Sequence, residues 1–269
     1  MTLRITILGC GASPGVPRIG NDWGACDPNE PRNRRSRCAI LIERIAADGG
    51  RPTRVLVDTG PDMRAQLLTA NVDFIDAVVY THSHADHTHG IDDLRAFWQN
   101  TGTLVDTYAD APTFARLSQA FSYCYRTAPG SGYPPILQHR PIAAGVPFTI
   151  EGGGGRLTIH PFRQIHGDID TLGLRVDAVA YSCDVSDIPQ ESLPQVSGLD
   201  LWIVDALRYR PHPSHFSADE AKAWIARLKP RRALLTHMHS DLDYATLAAS
   251  LPDGVAPAHD GLVVELPDA

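Results

Sequence analysis

The reading of this chain turns on AVVYTHSHADHTHG, residues 77–90. An apolar, β-branched run, 77–82, reads as a buried strand and leads straight into four histidines and an aspartate within residues 81–90. Side chains alternate along a strand, so His82 and His84 are expected to point to one side. The following turn would bring Asp86 and His87 back toward a second point. Imidazole and carboxylate are donors that Zn²⁺, Mn²⁺ and Fe²⁺ accept. Packing or solubility alone does not call for such a dense cluster.

Two metal ions need more donors than one loop supplies, and the later sequence offers three. His166 follows the strand LTIHPF, Asp184 ends VAYSCD, and His237 ends ALLTH. Each is a ligand-type residue at the end of an apolar strand, where loops gather at one edge of a sheet.

Composition sets the frame. The chain has 269 residues, 43% hydrophobic and 20% charged, as in ordinary soluble globular proteins. No apolar run approaches the ~20 residues of a membrane helix, and MTLRITILGCGASPG at the N-terminus reads as a first strand rather than a signal peptide. The net charge of −7 argues against broad attraction to nucleic acid or anionic membrane. Cys10, Cys26, Cys38, Cys124 and Cys183 form no CxxC pair, so free thiols and a cytoplasmic location are expected.

Strands are predicted at 3–9, 38–43, 54–58, 103–110, 172–177, 179–184, 201–207 and 233–237, with a hairpin over 147–162 around four glycines. Helices are predicted at 61–70, 112–121, 217–228 and 243–251; Ser217 and Glu220 make a capping-box pattern. No linker divides the halves. The fold class is α/β (α+β): an αββα sandwich of two mixed sheets face to face with outer helices, in one domain over 1–269. The aperiodic stretch 123–141 is read as a surface lid or a homodimer contact.

VDTG (57–60), THSHADHTHG (81–90), His166, YSCD (181–184) and LLTHMH (234–239) follow the order seen in the metallo-β-lactamase superfamily, which this chain resembles along nearly its whole length. The resemblance implies one divalent ion, Zn²⁺ or Mn²⁺, on His82, His84 and His166. It implies a second on Asp86, His87 and His237, with Asp184 bridging the two. Asp58 would orient the ligand loop from behind, and His239 is placed behind the ligands as well. Two dications lower the pKa of water enough for hydroxide to attack at neutral pH, so hydrolysis is the expected chemistry. Asp86, Asp184 and His215 are expected to carry catalysis.

SHFSADEA, 214–221, is similar to a segment of the tRNA 3′-processing ribonucleases and their small phosphodiesterase relatives. That likeness makes His215 a proton donor to the leaving alkoxide. Arg208, Tyr209 and His212, just ahead of it, are candidate substrate contacts together with His215. Only 17 residues lie between His166 and Asp184 and 30 between Asp184 and His215, leaving no tRNA-gripping arm. A small cyclic or nucleotide-like phosphodiester is therefore favoured over long nucleic acid. The opening LGCGASPGVPRIGNDWGACDPNEPRNRRSRC, 8–38, resembles the phosphoribosyl cyclic phosphodiesterases of the carbon–phosphorus lyase pathway, where cysteines in the loop hold a structural zinc. Only Cys26 stands in that loop here, and no structural zinc is expected. The arginines of 32–37 are either phosphate contacts or a solvated face. The alternatives are a carboxylic ester, thioester or lactone hydrolase on the same ions, an RNA-processing nuclease, and a non-catalytic metal-dependent binding protein.

Overall fold

β-Branched runs separated by turn residues give this chain its strands, and the computed structural model describes residues 1–267. The first half supplies β1 (Thr2–Gly9), β2 (Ala39–Ile45), β3 (Thr53–Val57), β4 (Ala77–Val79), β5 (Val105–Ala109) and β6 (Leu137–Pro141). The second half supplies β7 (Phe148–Gly152), β8 (Gly155–His166), β9 (Ile169–Val176), β10 (Val179–Ser182), β11 (Leu201–Asp205), β12 (Arg232–Thr236), β13 (Val255–Pro257) and β14 (Val263–Pro267). They form two seven-stranded sheets, ordered β14-β1-β2-β3-β4-β5-β6 and β13-β12-β11-β10-β9-β8-β7. Each sheet is antiparallel on one side and parallel on the other: β3 to β6 run parallel in the first, β10 to β13 in the second. This is the expected αββα sandwich.

The core lies between the sheets. Ile5, Ile7, Ile40, Ile42, Val55 and Val57 share one buried cluster with Ile159, Leu172, Leu174, Ile203 and Leu235. Each such side chain contributes roughly 1.5–3 kcal/mol by leaving water. A second cluster seats α1 (Met63–Thr69), α3 (Arg95–Thr101) and α4 (Ala111–Ala120) on the outer face of the first sheet, through Leu41, Leu56, Val78 and Tyr80 against Met63, Leu67, Phe97 and Leu117. The remaining helices are α2 (Ala85–Thr88), α5 (Ser122–Tyr125), α6 (Ala218–Leu228) and α7 (Tyr244–Ala249). α6 carries the predicted capping box, with Ser217 and Glu220 bonding reciprocally.

Three departures from the sequence reading bear on the site. β4 ends at Val79, not at residue 82, because Thr81 N–H donates to the Asp58 carboxylate (2.8 Å) instead of continuing the ladder. His82 and His84 therefore stand on a loop. β8 runs to His166 and carries that residue on its last position. The 123–141 stretch is partly regular: it starts in α5 and finishes as β6, the edge strand parallel to β5. The parallel strands β3 and β4 of one sheet and β10, β11 and β12 of the other all end at one edge, where α/β folds place their ligands.

Candidate metal centre

Strand ends at that edge take unusual backbone shapes. Asp58 follows β3 at φ 65°, Asp184 follows β10 at φ 54°, and His237 follows β12 at φ 57°. The left-handed region costs a non-glycine residue on the order of 1–3 kcal/mol, least for Asp, Asn and His. All three side chains turn inward and are buried. Glycines allow the loops to close together. A Cβ on Gly60 would sit 2.3 Å from the Asp86 carbonyl oxygen, and one on Gly90 2.2 Å from that of Gly60. The glycines of VDTG and HTHG thus let the 58–60 turn lie against α2, locked by Thr59 N–H to His87 O and Gly90 N–H to Thr59 O, both 2.8 Å.

Seven expected residues come together there. Among the described residues, His82, His84, His166 and Asp184 present donor atoms within 4.8 Å of one another, and so do His87, Cys183, Asp184 and His237. Asp184 belongs to both groups, its Oδ2 facing His82 Nε2 (3.6 Å) and His166 Nε2 (3.7 Å), its Oδ1 facing His87 Nε2 (3.1 Å). Asp86 Oδ2 lies 3.6 Å from His87 Nε2. Cys183 is the member that the sequence reading passed over.

The donor set fits divalent cations. His82 Nε2, His87 Nε2, His237 Nε2 and Asp86 Oδ2 are buried with no hydrogen-bond partner among the described residues. Such atoms cost about 1–3 kcal/mol each when unsatisfied, and ligation removes that cost. The charge balance agrees. Burial opposes charge on His87, but Asp184 and Asp58 prevail and hold its pKa well above the ordinary value. Burial likewise opposes charge on His237, and Asp184 with Cys38 raises it to about 10. Asp184, despite burial, is held well below the carboxylate range by His237 and His87. The carboxylates demand positive charge at this spot.

The rear of each ring is tethered. Asp58 Oδ2 accepts from His87 Nδ1 (2.7 Å) and from Thr81 Oγ1 (2.8 Å), so Asp58 braces both the loop and a ring. His82 Nδ1 meets Thr81 Oγ1 at 3.1 Å, and His166 Nδ1 donates to the Ser214 carbonyl at 2.5 Å. His215 lies alongside, its ring 4.5 Å from that of His166 and stacked on that of His237 at 4.7 Å. Its Nδ1 donates to Asp205 Oδ2 at 2.7 Å, and Asp205 is wholly buried. Asp205 was legible as one more acidic residue ending an apolar strand, the same signal that singled out Asp184.

The other predicted residues are more peripheral. His212 sits 5.2 Å from the His215 ring and bonds Ser214. Arg208 spends its guanidinium on the carbonyls of Arg210 and Pro211, and Tyr209 is largely exposed. His239 pairs with Asp241 at 3.2 Å, not with a donor residue of the cluster. The arginine run divides: Arg32 pairs with Glu30, Arg37 with Asp62, and Arg34 lies over Trp23. Arg35 is buried, bonding Asn33 Oδ1 and the carbonyls of His239 and Leu242, which ties the 24–37 loop to the loop after β12. A groove of about 990 Å³ beside Ser36, Arg37 and Asp260 includes none of the donor residues.

Residues 53–238 match the profile of the beta-lactamase superfamily domain. The chain belongs to the metallo-β-lactamase superfamily. It is 32% identical over 263 residues to an octanoyltransferase of Porphyromonas gingivalis, covering 97% of this chain and 51% of that protein, so it spans about half the length of that relative. A crystal structure of a diphosphatase from the PhnP family superposes with a TM-score of 0.87 at 34% identity, covering 99% of this chain and 98% of the other. Zn²⁺-bound PqqB from Methylobacterium extorquens shares the superfamily fold, with a TM-score of 0.77 at 20% identity over 98% of this chain and 100% of that one. Among the described residues, no helix is long and apolar enough to cross a membrane.

Proposed function

We propose that this protein is a metal-dependent hydrolase that cleaves a small phosphodiester, cyclic or nucleotide-like, as a single domain over 1–269. The observation that carries this reading is His215, buried at the rim of the donor cluster and anchored through Nδ1 to Asp205. That bond holds Nδ1–H against a carboxylate that supports the imidazolium, whose Nε2–H can pass its proton to the departing alkoxide of a phosphodiester. The 34% identity with a PhnP-family diphosphatase supports phosphorus as the centre attacked.

His82, His84 and His166 would hold one divalent ion, Asp86, His87 and His237 a second, with Asp184 shared between them. Bound there, Zn²⁺ or Mn²⁺ polarises a phosphoryl oxygen and lowers the pKa of water. The chain's residues do the rest. Asp58 and Thr81 fix the ring directions, Asp205 orients His215 through Nδ1–H, His212 lies beside His215, and Arg208, Tyr209 and His212 are candidate substrate contacts. The five cysteines are free and buried, which suits a reducing cytoplasm.

The test is turnover of a panel by metal-loaded protein: a ribose 1,2-cyclic phosphate, cyclic nucleotides and an aryl phosphodiester, with Asp184→Ala as the blank. Release of phosphomonoester, absent from the blank, is the expected result. One observation favours a second reading: the curated relative is named an octanoyltransferase, so the same site would open a carboxylic ester or thioester. Cleavage of acyl esters with an inert phosphodiester panel would select it.

A further inference from the structure

We infer that Cys183 is a positioning residue for two metal ligands at once, a thiol that ties His237 to Asp184 from behind. The inference rests on the ligand set proposed above. Three of the rings share one plan. His82, His87 and His166 each have Nδ1 on an oxygen, respectively the Thr81 hydroxyl, the Asp58 carboxylate and the Ser214 carbonyl, at 3.1, 2.7 and 2.5 Å. In His82 and His87 the Nε2 on the other side of the ring is buried without a partner among the described residues. His237 has the same unpartnered Nε2, which leaves its Nδ1 to meet the side chains of Asp184 and Cys183. The atom that meets it in hydrogen-bond geometry is Cys183 Sγ at 3.6 Å.

The sulfur does more than accept. Its S–H donates to Asp184 Oδ1 at 3.0 Å. A thiol has both a weak donor and a weak acceptor, so one side chain completes the chain His237 Nδ1–H to sulfur and S–H to carboxylate. Asp184 Oδ1 itself lies 3.1 Å from His237 Nδ1 in an ion-pair position, and the thiol spans that pair. Cys38 backs the arrangement from the first sheet: it adjoins Cys183 and His237, and its Sγ is 3.5 Å from Thr236 Oγ1 and 3.5 Å from the Gly11 carbonyl. Cys183 is fully buried and Cys38 is 1% exposed, so neither sulfur serves as a surface thiol. Sulfur is the softest of the four tethers.

The experiment is Co²⁺ titration of metal-free wild type, Cys183→Ala and Cys183→Ser, followed by absorption spectroscopy and by calorimetry. Outer partners of metal ligands are commonly worth 10–100-fold in affinity. The expected result is two Co²⁺ sites in wild type. Cys183→Ala weakens one of them 10–100-fold and spares the other, and Cys183→Ser regains part of the loss. No intense near-ultraviolet sulfur-to-cobalt band appears. Such a band in wild type, lost in Cys183→Ala, would make Cys183 a ligand and overturn the inference. So would two unchanged affinities in Cys183→Ala. Failure of wild type to bind a second Co²⁺ would instead remove the ligand set on which the inference stands. Nitrogen-15 histidine spectra of Zn²⁺-loaded wild type test the same point without a variant: His237 is expected as the Nδ1–H tautomer, and a bare Nδ1 overturns the inference.

Discussion

Asp205 and His215 meet at 2.7 Å, Oδ2 to Nδ1, although one ends β11 and the other stands in the loop before α6. The same Oδ2 accepts Val185 N–H at 3.0 Å, so the carboxylate also pins the segment that follows Asp184. This pair fixes where the His215 proton is carried, and a test of leaving groups follows.

His215→Ala is expected to lower turnover of alkyl phosphodiesters by about 10²–10⁴-fold, the usual worth of a general acid. Aryl phosphodiesters, whose leaving group departs without a proton, should lose far less. Asp205→Asn should show the same selectivity more weakly. Kinetics on matched alkyl and aryl substrates checks it; an equal loss on both would remove the proton-donor role, and loss of bound metal would make His215 a ligand.

Asp184 is shared by the two donor groups, each of which joins the histidine loop of the first sheet to strand ends of the second. Stripping the ions with a chelator is expected to lower Tm by about 5–10 °C, since ligand linkage at 100 times Kd is worth ~2.7 kcal/mol. Asp184→Asn should bind less metal and show a much smaller chelator shift. Metal analysis beside thermal melts decides; equal metal content in the variant contradicts the sharing.

Arg35 is buried and bonds Asn33 and two carbonyls of the loop after β12. Arg35→Met removes those donors and leaves the acceptors unsatisfied, for an expected loss of roughly 2–4 kcal/mol. The denaturant midpoint should fall with the slope unchanged. Arg32→Met, whose partner Glu30 lies on an exposed turn, should be nearly silent.

Asp260 titrates in the wrong place for a carboxylate. Burial raises it from 3.8 to about 6, against hydrogen bonds from Ser36 and Cys10. Between those values the folded chain holds a proton that the unfolded chain has released, so stability falls as pH rises through that window. The effect is at most about 3 kcal/mol. Asp260→Asn should therefore gain on wild type between pH ~4 and ~6.5, read as the difference in denaturant midpoints; parallel curves would dismiss it.

Much of the site was legible because its residues announce themselves. HSHADH crowds donors into six positions, and His166, Asp184 and His237 each close an apolar strand. The sandwich followed from strands in both halves with no break between them. Other features carry no local signal. Cys38 and Cys183 read as ordinary free thiols, and only tertiary packing brings them beside His237. Arg35 looked like one charge in a basic run, yet the fold buries it and leaves Arg32, Arg34 and Arg37 accessible. β13 and β14 are short segments with proline at their ends, too brief to show a period. β4 stopped early because a carboxylate 23 positions away took its next amide, a competition that no sequence window contains.

Gly11 bridges Arg37 on one side and Met238 on the other, and β1 lies between β14 and β2. The consequence is one of timing. His237 is made long after the histidine loop, and the segments at Gly11 and Met238 must meet before the loops around it are pinned. Contacts this distant in sequence form late and slowly. The donor set on the histidine loop is therefore only part of a site until the segment carrying His237 has docked beside Gly11.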